Sequence, residues 1–233
     1  IQFITGIILA RILSPVEFGL IGYITVFITV SQVFIDSGFS SALIRKTNCT
    51  NEDYSTVFFF NLGASILIYS LLFFSAESIS AYFGEPLLKN LIKVIGLSLI
   101  INAFSTIQRV LLTQKIDFKT QSKISVWASL VSGTIAIIMA LWGFGVWSLV
   151  YLTLIRYLIS CFLYWLWSSW KPLLIFSKKS FQELFSFGGN LLISSIINIA
   201  YKNSFFIVVG KYYSTIDLGY YVRADQFKAL PSK

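Results

Sequence analysis

Histidine is absent from the 233 residues, and Asp and Glu together number only ten. Without imidazole the commonest general base is missing, and no carboxylate cluster has the spacing of a metal-ligand set. A Walker-type Gly-x-x-x-x-Gly-Lys-[Ser/Thr] is absent too, so the sequence offers no nucleotide phosphate cradle. Catalysis is not the expected activity, and no cofactor or metal is called for. Cysteine is scarce: Cys49 stands in a polar stretch and Cys161 inside an apolar run, so the two are not expected to pair. Charge of both signs is thin, at 12% of the chain. A soluble domain of this length does not show so little.

What is present is apolar sequence, 56% of the residues, with a mean hydropathy of +0.78. Phe18 to Ile35 is an 18-residue run without a charge, and Tyr54 to Ala76 is another of 23. Ile124 to Ile155 is too long for one crossing and is cut by Trp142-Gly143-Phe144-Gly145. A hydrocarbon layer of about 30 Å needs about 20 residues per helix, with every backbone group bonded inside its own span. The expectation is an all-α polytopic membrane protein. Its spans are placed at the tail of span 1 up to about Leu13, then 18–36, 54–76, 90–112, 124–142, 146–168 and 184–210, with span 8 starting near 216. Because Ile1 already stands in apolar sequence and Lys233 follows soon after a repeat restarts, the chain is read as a piece of a longer protein.

That repeat pairs residues 7–19, IILARILSPVEFG, with 207–219, IVVGKYYSTIDLG, at an offset of 200 without a gap. Apolar stretches align easily, so the polar matches carry the comparison: Arg11 with Lys211, Ser14 with Ser214, Glu17 with Asp217. Six spans lie between the copies, and an even number of crossings gives both the same orientation. The expected architecture is therefore a parallel repeat of six-helix lobes, twelve or more spans in full length and about 7.5 here. Residues 1–169 form the first lobe, 170–183 an amphipathic linker at the membrane surface, and 184–233 the start of the second lobe.

Basic residues orient the bundle. Loops after even-numbered spans hold Arg45, Lys46, Lys115, Lys119, Lys123, Lys171, Lys178 and Lys179, eight in all, against four (Arg11, Lys89, Lys93, Lys211) near the opposite face. The excess places the even loops and the N-terminus in the cytoplasm. Two further cations fall inside spans. Arg156 lies ten residues after Val146, about 15 Å deep, and Lys202 about 12 Å from the nearer surface. A cation at such depth costs at least about 2.5 to 3.5 kcal/mol and normally faces a watery cavity. With no carboxylate expected in mid-span, these two predict a positively charged cavity suited to a phosphate-bearing ligand. Asn198 and Asn203 add uncharged donors and acceptors on span 7. Arg11, Arg45, Lys46 and Arg109 are weaker candidates along an entry path.

Three segments carry a family resemblance: LARILSPVEFGLIGY (Leu9 to Tyr23), FIDSGFSSALIRK (Phe34 to Lys46), and the stretch from SFGGNLLISS at Ser186 to Pro231. In this order they resemble polysaccharide flippases of the multidrug/oligosaccharidyl-lipid/polysaccharide exporter superfamily, in the O-antigen, teichuronic acid and exopolysaccharide branch. The resemblance implies two lobes around a central cationic cavity and alternating access. It implies transfer of an undecaprenyl-diphosphate-linked oligosaccharide across the bacterial inner membrane, for lipopolysaccharide or exopolysaccharide assembly. Membrane lipids, a polysaccharide polymerase and glycosyltransferases are the implied partners; nucleic acid is not. By position, Lys202-Asn203 matches the basic-polar pair before the Gly-Lys end of span 7, here Gly210-Lys211. Phe205 departs from the pattern, standing where such proteins commonly carry an acid, which leaves ion coupling through that position in doubt. A multidrug-type exporter and a membrane-embedded polymerase or assembly subunit are the alternative readings. The charge distribution makes a direct prediction: single cysteines at Lys119 and at Glu85 are labelled by an impermeant maleimide from the cytoplasmic and the outer side respectively, and the reverse pattern overturns the orientation.

Overall fold

The computed structural model describes residues 2–228, with side chains described for 2–225. Ile1 and residues 229–233, including the end of the third resembling segment at Pro231, lie outside the described residues. The regular structure is helical: α1 (Gln2–Ile12), α2 (Pro15–Asp36), α3 (Phe39–Arg45), α4 (Asn51–Phe83), α5 (Leu87–Ile95), α6 (Leu97–Gln114), α7 (Phe118–Leu141), α8 (Val146–Trp167), α9 (Lys178–Tyr212) and α10 (Thr215–Lys228). Among the described residues six segments are long and apolar enough to cross a membrane: α2, α4, α5 with α6, α7, α8 and α9. They are the six crossings expected between the copies of the repeat, and the chain is a multi-pass membrane protein. Successive crossings run in alternating directions between two ends, one marked by Ser14 and the other by Asp36.

Helix starts follow from local chemistry. Before α2 the Ser14 N–H donates to the Glu17 carboxylate at 2.6 Å, and before α10 the Ser214 N–H donates to Asp217 at 3.1 Å. Thr50 and Asp53 form the same reciprocal box at the start of α4. Each box satisfies N–H groups that the first helical turn leaves without partners. The duplicated Ser-x-x-acid of the sequence is thus one capping device used twice.

Those two starts pack against each other. At Gly19 a Cβ would overlap the Thr215 carbonyl oxygen, and at Gly219 a Cβ would overlap the Pro15 carbonyl oxygen. Pro15 and Thr215 are equivalent under the 200-residue offset, so residue i meets j while j meets i, the mark of a two-fold relation. Equivalent positions 23 and 223 repeat the pattern with side chains. The Tyr23 hydroxyl donates to the Gly210 carbonyl at 2.8 Å, and the Arg223 guanidinium to the Leu13 carbonyl at 2.7 Å. Because α2 and α10 run the same way from this contact, the axis lies along the helices. A parallel repeat has this geometry.

Several features differ from the expectations. The polar loop after span 2 contains the short helix α3, which starts at Gly38 with φ +74, a conformation open to glycine. Gly38 also lies against the Gly188 backbone, so Gly188 serves close contact inside a continuous α9. The fourth crossing is broken at Gly96, against which the Tyr69 ring packs. With 33 and 35 residues, α4 and α9 overrun the expected spans because capped first turns extend both toward water. The expected linker splits: residues 168–177 are non-helical and α9 begins at Lys178. The non-helical part is fastened to α4, where Ser55 and Thr56 hydroxyl oxygens accept from the Leu173 and Ser177 N–H groups at 3.0 Å each.

The glycine contact generates a stability prediction for the full-length protein. Gly19→Ala and Gly219→Ala each lose about 1–3 kcal/mol by overpacking, read as a lowered melting temperature in detergent. Gly63→Ala, where an added Cβ meets nothing, does not. Equal melting for all three variants removes the contact from the account.

Candidate functional site: a polar cavity inside the bundle

A cavity of about 400 Å³ opens in the half of the bundle toward the Asp36 end. Its wall is drawn from α2, α3, α4, α6, α8 and α9, so elements spread over some 170 residues of sequence build one space. From α2 and α3 come Thr29, Gln32, Asp36 and Ser40; from α4, Asn61; from α6, Asn102, Thr106 and Arg109; from α8, Tyr157; and from α9, Leu191, Ser195 and Ile199. Most of this wall is polar, in a bundle whose outer surface is apolar.

The cavity carries one charge of each sign, Asp36 and Arg109. Asp36 is the last residue of α2 and accepts from both the hydroxyl and the N–H of Ser40, which ties the end of α2 to the start of α3. Its presence differs from the expected cavity of cations without a carboxylate. The reason is positional: α3 and α9 fold over the end of α2, so a residue read as lying at a span's edge is drawn into the wall. Across the space, the Gln32 side-chain amide donates to the Tyr157 hydroxyl at 3.0 Å, linking α2 to α8.

Asn61 is unlike its neighbours. The residue has 0% exposure, and neither its amide nitrogen nor its amide oxygen has a partner. Such burial costs about 1–3 kcal/mol. Gln108 on α6 shares this condition but does not line the cavity.

The residues singled out from sequence fall in three places. Arg109 lines the cavity. Arg156, half-buried on α8, stands beside the cavity residue Tyr157, with its guanidinium carbon 5.9 Å from that ring's centre. Lys202 and Asn198 are exposed on α9, while Asn203 is buried and donates to the Ile199 carbonyl one turn back at 2.9 Å. Arg11 is exposed at the end of α1, by the Ser14 turn. Lys46 pairs with Asp53 at 3.0 Å and Glu183 at 3.2 Å, and Arg45 lies over the Phe187 ring at 4.6 Å. Burial alone would lower the Lys46 pKa, yet the hydrogen bonds and charges of the two carboxylates prevail and hold it above the ordinary lysine value. Arg45 and Lys46 thus fasten α3 and α4 to the start of α9.

Residues that sequence reasoning missed are Asp36, Asn61, Asn102, Gln32 and Tyr157. Isolated amides in apolar helices were the available signal, because each is costly in lipid unless it finds a partner.

At the Ser14 end the bundle is closed. Lys211 donates to the Tyr82 carbonyl at 2.9 Å and lies 3.8 Å from the centre of the Tyr82 ring, while the Thr215 hydroxyl donates to Glu85. Arg223 lies over the Phe18 ring at 4.4 Å, and Phe83 packs against Tyr23 at 4.5 Å between ring centres. Together with the glycine contacts these seal α2, α4, α9 and α10 against one another.

Known proteins match most or all of this chain. The succinoglycan biosynthesis transport protein ExoT of Rhizobium meliloti is 27% identical over 233 residues, all of this chain and 47% of that protein. The teichuronic acid biosynthesis protein TuaB of Bacillus subtilis is 26% identical over 86% of the chain and 42% of its own length. The lipopolysaccharide biosynthesis protein WzxC of Escherichia coli is 25% identical over 88% of the chain and 42% of its own. The chain spans about half the length of these curated relatives. No solved structure matches it. The family model described as "polysaccharide biosynthesis protein" matches residues 8–233, nearly all that the helices above comprise, and the chain belongs to that family.

Proposed function

We propose that the full-length protein is a flippase. It moves an undecaprenyl-diphosphate-linked oligosaccharide from the cytoplasmic to the outer leaflet of the bacterial inner membrane, by alternating access and without catalysis of a chemical step. The observation that carries this reading is the polar cavity held among apolar crossings, displaced toward the Asp36 end, while α2, α4, α9 and α10 pack together at the Ser14 end. With the Asp36 end cytoplasmic, as the distribution of basic loops indicates, the arrangement is an inward-facing state. The relatives' names point the same way, each to the making or transport of a cell-surface polymer.

In this reading residues 1–169 and 184–233 belong to two lobes that rock apart and together at the α2/α10 contact, with residues 170–183 between them. Arg156 and Lys202 hold the diphosphate, with Arg109 nearest the cavity and Asn198 and Asn203 beside Lys202 on α9. Cation export is disfavoured by Arg109 in the cavity wall and by the excess of basic over acidic residues, 18 against 10. A polymerase and glycosyltransferases are the expected working partners.

Two outcomes test the proposal in proteoliposomes containing the full-length protein. Arg156→Ala and Lys202→Ala each slow translocation of a lipid-diphosphate oligosaccharide by about tenfold or more, as expected for a lost charge-assisted contact; unchanged rates remove the diphosphate role. A Cβ on Gly22 would stand 2.7 Å from the Val222 Cγ2, so cysteines at these positions lie within disulfide reach. In a Cys49→Ser/Cys161→Ser background, oxidising the Gly22→Cys/Val222→Cys pair stops translocation and reduction restores it. Undiminished transport by the oxidised protein rules out rocking at this contact.

A further inference from the structure

The charge and donor pattern of the cavity differ from what a diphosphate would select. We infer that the cavity is a subsite for the neutral, hydroxyl-rich sugar of the cargo, with the Asn61 and Asn102 amides in direct contact with sugar hydroxyls and the diphosphate held outside it. This inference rests on the flippase reading and deepens it.

Three observations carry it. The first is charge: Asp36 and Arg109 are the cavity's charged residues and cancel. A diphosphate in this space would face the Asp36 carboxylate, and a metal cation would face the Arg109 guanidinium, so either ion meets a like charge. A neutral ligand meets neither objection. The second is donor chemistry. Amides and hydroxyls each both donate and accept, as sugar hydroxyls do, so Gln32, Asn61, Asn102, Thr106 and Ser195 can pair with a hydroxyl in either sense. At about 400 Å³ the space lies within the usual range for small-molecule sites.

The third observation is Asn61 itself. Several polar side chains in these helices bond the carbonyl of their own preceding turn, as Thr25, Thr29 and Thr153 do. Asn61 makes no such bond, and both ends of its amide lack a protein partner. Ser98, Gln108, Ser132 and Ser148 are unpaired too, but Asn61 is the one placed on the cavity wall, where an occupant that displaces its cover can pair with it. The Gln32–Tyr157 pair places a second amide on the opposite helices, so a ring seated between them is reached from α4 and α6 on one side and from α2 and α8 on the other.

The test uses the full-length protein in nanodiscs and two probes, undecaprenyl diphosphate bearing a neutral trisaccharide and undecaprenyl diphosphate alone. The wild type is expected to bind the glycosylated probe about tenfold more tightly. Asn61→Leu and Asn102→Leu, which keep approximate side-chain size while removing the amide, are each expected to bring the two affinities within about threefold, with binding of the bare lipid unchanged. Melting temperatures identify a variant that fails to fold, in which case the other variant decides. The inference is overturned if the wild type does not distinguish the probes, if the preference survives in both folded variants, or if both lipids weaken equally. Failure of the wild type to bind either lipid overturns the flippase reading and this inference with it, a result distinct from the other three.

Discussion

A hydrocarbon layer supplies no hydrogen bonds, and nearly every feature of this chain answers to that constraint. It makes each crossing a helix. It also turns the polar side chains of the crossings back on their own backbone: Thr25, Thr29, Ser70, Thr134 and Thr153 each donate to the carbonyl four residues earlier. A polar residue satisfied in this way says little about function. The informative ones are those left over, and of the buried side chains without a partner Asn61 is the one that lines the cavity, while Gln108 is equally unpaired away from it.

The same constraint sends charges to the two ends of the bundle, where they fasten one helix to the next. At the Asp36 end, Lys46 joins Asp53 of α4 to Glu183 of α9, and the side-chain exposures of 23% and 2% for Lys46 and Asp53 put this pair largely out of water. Removing the ammonium would leave Asp53 with a partly buried, uncompensated charge, so the pair matters more than a surface salt bridge. At the Ser14 end the cations use backbone carbonyls and ring faces instead: Lys211 on Tyr82, and Arg223 on Leu13 and Phe18. The Ser14 end has an ion pair as well, Lys89 with Glu77 at 3.0 Å, but it joins α5 to α4, whereas the cations that tie α9 and α10 to α4 and to the turn before α2 use neutral acceptors that water can replace.

Sequence alone disclosed the crossings and the parallel repeat, because hydropathy and the Ser-x-x-acid box are local properties that survive in one dimension. The offset of 200 paired the two helix starts as equivalents, but that their backbones meet at Gly19 and Gly219 is visible only in three dimensions. The cavity was far less legible. Gln32, Asn61, Asn102, Tyr157 and Ser195 lie far apart along the chain and share no period, and a lone amide in an apolar run reads equally as a link between helices. Asp36 was misjudged because span counting measures distance from a helix end, whereas exposure depends on what folds over that end. The short α3 escaped notice for a similar reason: its seven residues are mixed in character, and the Gly38–Gly188 contact that fixes them joins segments 150 residues apart.

The contact between α2 and α10 is well made for a joint that must open. Gly19 and Gly219 meet carbonyl oxygens that already accept from their own helices, Pro15 and Thr215 being first-turn residues four positions before the glycines. Separating the two helices therefore leaves no backbone group newly unpaired at the glycines. The Tyr23 hydroxyl, the Arg223 guanidinium, the Lys211 ammonium and the Thr215 hydroxyl lose partners, and all stand near the end of the bundle where water can take over. What holds the joint shut is close packing of small residues, many contacts of about 0.1–0.2 kcal/mol each that vanish together once the surfaces part. A joint of that kind is rigid when closed, and an open form about a few kcal/mol above it is a minor state that a ligand can make dominant. The carbonyl–glycine packing at the duplicated helix starts thus supplies the mechanical basis that the proposed rocking requires.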